Sequence, residues 1–380
     1  MINGDRLKQV RELCGLTQVE LAEKIGINRG LITHYEVGRY EPPEDVLEAI
    51  SQATGFPFAF FQQDMAIEFP LGSLLFRART SVTSKDKLRA YRYGQTLNEM
   101  IDVMAKNFKE IPLRLPRQRV EPAAAAAITR SEMSLSSYKP IENLVYVAEK
   151  SGVRVLRIPE SLKGIDAFSV WAGFEEKRPV IVTVDGTPGD RLRLSVAHEI
   201  GHLVMHQSIR STIETIENEA NQFAAELLMP AEQIAQELTS PITINTLFEL
   251  KERWGVSIQA LIRRAYELNI ISERQYRYLC FQVGKQGMRT EEPIEIPVEK
   301  PRALRQMAER LYGNPIDYLR MANQLKLPVM FVKQVMEAHA EKGPLVKQMP
   351  LPAEDQTGKK ERKVVPFATR TKGNQTLRQK

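Results

Sequence analysis

The sequence predicts a multidomain protein: an all-α bundle, then an α+β domain with helical additions at its C-terminal end. Three observations carry this reading. From Arg6 to about Phe61 the apolar residues repeat only at helical spacing, with glycine and asparagine punctuation every ten or so residues. Beyond residue 137 three short β-rich runs precede a histidine-bearing helix, and 380 residues exceed what one core usually holds. The expected divisions are a bundle at 1–68, a helical connection at 69–136, the α+β domain at 137–285, a helical extension at 286–350 and a tail at 351–380.

In the bundle, Leu7, Val10 and Leu13 form one stripe that Cys14-Gly15 interrupts. Thr17 with Glu20 three residues later is a capping box opening a second helix, which Gly26 closes. Asn28 caps a third helix carrying Leu31, Ile32 and Tyr35; Gly38 ends it, and Pro42-Pro43 leads into a fourth. In the connection, Lys87 to Phe108 reads as one amphipathic helix, and Ala123 to Ala127 as either helix or linker.

The α+β domain is expected to open with a helix from Pro140 to Ser151. VRVLRIP, AFSVWAGF and RPVIVTV read as strands, and Asp185-Gly186 and Pro188-Gly189 as turns before the next helix. Further helices are expected at Ile244–Trp254, Ile258–Asn269, Ala303–Leu311 and Val329–Ala340. Apolar residues make up 43% and charged residues 26%, a balance that excludes a disordered or fibrous chain.

Cys14 and Cys280 fall in different domains, which points away from a disulfide framework and toward a reducing, cytoplasmic compartment. The polar start MINGDRLKQVREL is not a signal peptide, and no run approaches the roughly 18 apolar residues that span a membrane, so no membrane partner is expected. Of the net charge of +6, most sits beyond Leu351, where eight Lys or Arg face three Asp or Glu. That tail is expected to be disordered, either as a solvated end or as an arm that attracts phosphate.

The stretch SVAHEIGHLVMH holds three of the five histidines. Residues four apart on a helix lie about 40° apart around the axis and about 6 Å along it, so His198 and His202 converge on one point. Two neutral imidazoles suit zinc, and catalytic zinc sites take three protein ligands. Glu199, beside the first histidine, is placed to take a proton from an activated water and pass it to a leaving amine, which makes HEIGH an HExxH peptidase motif. Small and apolar neighbours imply a helix buried except at its site.

A third ligand is expected from IENEANQFAAELLMP, where Glu217 shares a stripe with Asn221, Ala224 and Leu228. Glu217 is the candidate, with Glu214 and Glu219 as competitors, and Asn221 is placed to hydrogen-bond the outer nitrogen of a ligating histidine. His206, about 12 Å along the helix from His198, is too far to share the ion and is read as a helix-end cation or a hydrogen-bonded core histidine.

VTVDGTPGDRLRLSVAHEIGHLVMH, ENEANQFAAELLMP and WGVSIQALIRRAYELNIIS occur in the order of the ImmA/IrrE family of zinc-dependent endopeptidases, which this region resembles. The resemblance implies a zincin-like fold, Zn2+ held by His198, His202 and Glu217, and Glu199 as general base. LTQVELA, GI and LITHYEVGR resemble the XRE helix-turn-helix of Cro and repressor proteins. That implies binding of a double-stranded DNA operator, with Asn28, Arg29 and Thr33 as base readers and Gln18 and Arg39 on phosphates. His34 is read as a surface or structural residue.

The combined expectation is a dimeric, cytoplasmic, bacterial or phage-encoded regulator associated with the nucleoid. It carries an endopeptidase that cuts a repressor, an antitoxin-like protein or itself, in a stress, phage or mobile-element response. The alternative is a transcription factor whose zincin-like domain senses a signal or partner without cutting.

Overall fold

The computed structural model describes residues 2–65, 69–70, 82–159, 162, 164–173, 178–206, 212–289 and 292–339. The basic tail lies outside them. Five helices open the chain: α1 (Gly4–Leu13), α2 (Gln18–Ile25), α3 (Arg29–Glu36), α4 (Glu44–Thr54) and α5 (Phe58–Phe61). The local signals act where the sequence places them. The Thr17 hydroxyl accepts from the Glu20 N–H at 3.1 Å while the Thr17 N–H donates to Glu20 Oε2 at 2.6 Å, and Gly26 ends α2 at φ 73°. Arg11 makes a bidentate pair with Glu36, whose second oxygen also accepts from Gln18 Nε2 at 2.8 Å. One buried carboxylate thereby fixes α1, α2 and α3 together.

The long helix α6 (Ser84–Ala105) and α7 (Pro122–Glu132) follow; the alanine run is helical, within α7. Then come α8 (Leu144–Lys150) and the strands β1 (Arg154–Ile158), β2 (Ala167–Ala172) and β3 (Arg178–Val184). β3 is central, parallel to β1 through Val155↔Ile181 and antiparallel to β2 through Ser169↔Ile181. The remaining helices are α9 (Gly189–Met205), α10 (Ile213–Leu228), α11 (Ala231–Glu237), α12 (Ile244–Trp254), α13 (Ile258–Glu267), α14 (Glu273–Lys285), α15 (Ala303–Tyr312), α16 (Tyr318–Leu325) and α17 (Val329–Ala338).

Strand residues alternate between faces, and here both faces are buried. Leu156, Ile158, Phe168, Val170, Val180, Val182 and Val184 enter one core together with Leu7, Leu21 and Ile32 of the bundle, Leu97 and Met100 of α6, and Leu304, Met321 and Val332 of α15 to α17. Val155 and Ile181 enter a second core with Val196 and Ile200 of α9, Ala224 and Leu227 of α10, and Trp254. Helix α6 of the stretch read as a connection and the helices of the C-terminal extension therefore build the same core as the bundle, whereas α7 of that stretch enters the second through Ala125 and Ala126. Close approach of α6 to the sheet depends on Gly94, where a Cβ would lie 2.9 Å from Val182 Cγ2 and 3.1 Å from Phe168 Cζ.

An extended stretch before α15 ties that core to the second. Glu299 accepts the Val145 N–H at 2.8 Å and pairs with the buried Arg193 of α9. Glu149, at the end of α8, accepts the Arg302 and Ala303 N–H groups at 3.1 and 3.0 Å, capping α15. These carboxylates satisfy helix N-termini that the fold has withdrawn from water. The fold is thus a helix-turn-helix bundle, a small sheet with helices, and a helical C-terminal region. No described helix is long and apolar enough to cross a membrane.

Candidate functional site

The site is built on α9 and α10. α9 enters the second core through Leu192, Val196, Ile200 and Leu203, and His198, Glu199 and His202 are all buried. α10 starts at Thr212, whose side chain accepts from the Thr215 N–H, and packs against α9 through Phe223. Gly201 permits that approach, since a Cβ there would lie 2.9 Å from Phe223 Cδ1 and 3.3 Å from Phe223 Cβ. The glycine of HEIGH thus sets the distance between the two helices.

That distance brings Glu217 to the histidines. His198 Nε2 and His202 Nε2 are 2.9 Å apart; Glu217 lies 3.5 Å from the first and 3.2 Å from the second. One ligand atom from each falls within 4.8 Å of the others, a geometry that can hold one cation. The donor set fits. His198 Nδ1 contacts Asn221 Oδ1 at 2.7 Å; the amide oxygen can only accept, so the proton is on Nδ1 and the Nε2 lone pair faces the cluster. Among the three acids weighed on α10, Glu217 joins the histidine pair, Glu214 is exposed on the first turn, and Glu219 bonds elsewhere.

Glu199 is fully buried, and Ser169 Oγ of β2 donates to its Oε2 at 2.6 Å. Ser169 was not legible as a site residue: it is one small polar residue in a strand, brought here by the strand's alternation. Two residues on, Trp171 Nε1 donates to the Leu203 carbonyl at 3.2 Å, and the Gln118 N–H donates to that of Val204 at 3.1 Å, closing the C-terminal end of α9. The Arg117 guanidinium covers the Trp171 ring at 3.8 Å. His206, at the same end of α9, touches His202, Nδ1 to Nδ1 at 3.0 Å, and Glu219 through Nε2 at 2.8 Å.

In the bundle, Arg29 and Arg39 are exposed, and Asn28 caps α3 by accepting the Gly30 N–H at 2.7 Å. Thr33 Oγ1 donates to Gln18 Oε1 at 3.2 Å, so the Gln18 amide is engaged at both ends, with Glu36 and with Thr33. Ile32, Tyr35 and Glu36 form the buried face of α3. At about 100° per residue the middle of the opposite face falls on Gly30 and His34. The His34 ring is held against the edge of Tyr40, centroids 5.1 Å apart.

Two family models match the chain. One, a helix-turn-helix, covers residues 7–61. The other, peptidase M78, described as an IrrE N-terminal-like domain, covers residues 148–266 and so contains α9 and α10. An immunity repressor protein of Bacillus phage phi105 is 42% identical over 55 residues, 14% of this chain and 38% of that protein. The match thus spans well under half of the repressor's length. This chain accordingly joins a helix-turn-helix domain, similar to that stretch of a phage immunity repressor, to a downstream domain that matches the IrrE N-terminal-like, peptidase M78 model.

Proposed function

We propose that the protein is a DNA-binding transcriptional regulator whose second domain is a zinc-dependent endopeptidase acting on a regulatory protein. The observation that carries this is the convergence of His198, His202 and Glu217 around one point, with the buried Glu199 beside them, on a chain that opens with a helix-turn-helix. The two imidazoles and carboxylate would hold Zn2+, which supplies a Lewis acid to a peptide carbonyl and acidifies water. Glu199, oriented by the Ser169 hydroxyl, takes the proton of the attacking water and returns it to the leaving amine. Asn221 holds the His198 ring in the tautomer that binds a cation.

At the other end, Asn28, Arg29 and Thr33 read base edges. His34, at the centre of the outward face of α3, joins them. Arg39 meets phosphate through its side chain. Gln18 does so through the N–H groups opening α2, because its amide is held by Glu36 and Thr33. The operator is bound as a dimer in the cytoplasm. The cleaved protein is a repressor, an antitoxin-like protein or this chain itself, and the setting is a stress, phage or mobile-element response.

Comparative proteomics of cells making wild type or Glu199→Gln tests the enzyme. A fragment present only with wild type is expected. If the variant binds zinc and every cellular effect persists, the endopeptidase is refuted. The second reading, a sensing domain that does not cut, then stands, favoured by the core that the sheet shares with the bundle. Arg29→Ala should abolish specific operator binding and leave metal content unchanged; normal binding by that variant refutes the DNA assignment.

A further inference from the structure

We propose that His206 and Glu219 form an outer chain that fixes the tautomer and ring orientation of His202, so that metal affinity depends on both although neither is a ligand. The inference rests on the metal reading above and concerns the one ligating imidazole for which that reading names no partner. His202 has two ring nitrogens: Nε2 faces His198 and Glu217, and Nδ1 faces His206 Nδ1 at 3.0 Å. Two nitrogens at that separation bond only if one donates and the other accepts.

The far end of the chain sets the direction. His206 Nε2 lies 2.8 Å from Glu219 Oε2, and an ionised carboxylate can only accept. In a neutral His206 the proton is therefore on Nε2, its Nδ1 is a lone pair, and that lone pair accepts a hydrogen bond from the His202 Nδ1–H. What remains on His202 is a bare Nε2 aimed at Glu217 and His198. Without the carboxylate, His206 is free to place its proton on Nδ1, where it meets the His202 Nδ1 proton or drives it to Nε2, a tautomer that cannot bind a cation. Asn221 does the corresponding work for His198 in one step. The two ligating histidines are thus oriented from opposite ends of the site, one by an amide and one by a histidine and carboxylate in series.

Position supports the assignment. His206 caps the C-terminal end of α9 directly after Met205, its side chain only 10% exposed, and Glu219 lies on α10 two residues beyond Glu217. The same helix pair that presents the ligands therefore presents the outer chain.

The test measures zinc affinity of the full-length protein by competition with a chromogenic chelator, together with the melting temperature of the metal-free protein. His206→Ala and Glu219→Ala are each expected to weaken zinc binding by roughly 10- to 100-fold, the range for removal of an outer partner of a ligating histidine. Because they act in series, the double variant should lose no more than the worse single variant. His206→Asn places an amide oxygen near the former Nδ1 and cannot reach Glu219. It should recover most of the affinity lost in His206→Ala and be insensitive to Glu219→Ala.

A merely structural role would lower the metal-free melting temperature and leave the affinity of the folded fraction intact. If wild type binds one zinc and Glu219→Ala, with His206 in place, binds it as tightly as wild type does, the proposal is overturned, even if His206→Ala fails to fold. Additive losses in the double variant overturn the series arrangement. If wild type binds no zinc, the metal reading itself fails, an outcome separate from all of these.

Discussion

Gly201→Ala is the most direct probe of how the two site helices are spaced. The added Cβ would lie 2.9 Å from Phe223 Cδ1, 3.2 Å from Cγ and 3.3 Å from Cβ. Ring rotation clears the first of these and not the last, which is fixed to the α10 backbone. Ordinary carbon contact near 3.4 Å or more requires the helices to part by a few tenths of an ångström, about 0.5 Å if the ring stays where it is. Overpacking of this kind costs about 1–3 kcal/mol, partly offset by the roughly 0.5–1 kcal/mol gained when alanine replaces a helix-interior glycine.

Stability should therefore fall by about 2 kcal/mol or less. Metal affinity should fall further than that, because ligand distances tolerate only about 0.2 Å and Glu217 moves with α10. Urea unfolding of the metal-free protein and chelator competition for zinc separate the two effects. Gly94→Ala is the control, since it meets Val182 Cγ2 at 2.9 Å in the other core and should cost stability while sparing zinc affinity. Wild-type zinc binding by Gly201→Ala would refute the claim that this glycine sets the ligand spacing.

Two buried groups make stability depend on pH in opposite directions. Burial, against the N–H bonds from Ala303 and Arg302, raises the Glu149 carboxyl from 4.5 to about 7. The folded chain keeps a proton that the unfolded chain has released, so the contribution is whole below about 4.5 and lost as pH rises through about 7, amounting to roughly 3 kcal/mol. Glu149→Gln keeps an acceptor for those N–H groups and should flatten this dependence in urea melts between pH 5 and about 8; an unchanged slope refutes it. Burial lowers the His339 imidazole from 6.5 to about 4, with Arg157, Arg305 and Lys300 adding to the effect. Its neutral ring donates to the Val335 carbonyl at 2.7 Å and receives the Arg157 N–H at 3.4 Å. That stability is whole above pH 6.5 and lost as pH falls toward about 4, and His339→Asn should remove the acid-side loss, measured against wild type in the same melts.

The sequence by itself determined what depends on neighbours along the chain. The Thr17–Glu20 capping box, the Asn28 cap, the strand at residues 178–184 and the pairing of His198 with His202 all follow from spacings of two to four residues. Glu217 was within reach of the same reasoning because helical periodicity put it beside the buried face of its helix. Only the tertiary structure decided which partners meet across elements. Ser169 reaches Glu199 because β2 lies beside α9, a pairing thirty residues apart that no local pattern encodes. His206, read from its position along the helix as too distant to share the ion and as a helix-end cation or a hydrogen-bonded core histidine, is hydrogen-bonded to its neighbour His202 and to Glu219 on another helix. Likewise, the helices on either side of the α+β region show only their own apolar stripes, and the chain alone does not say which stripe covers which. Packing settled that one face of a three-stranded sheet belongs to the helix-turn-helix side and the other to the candidate metal centre, because both faces are apolar and each must be covered.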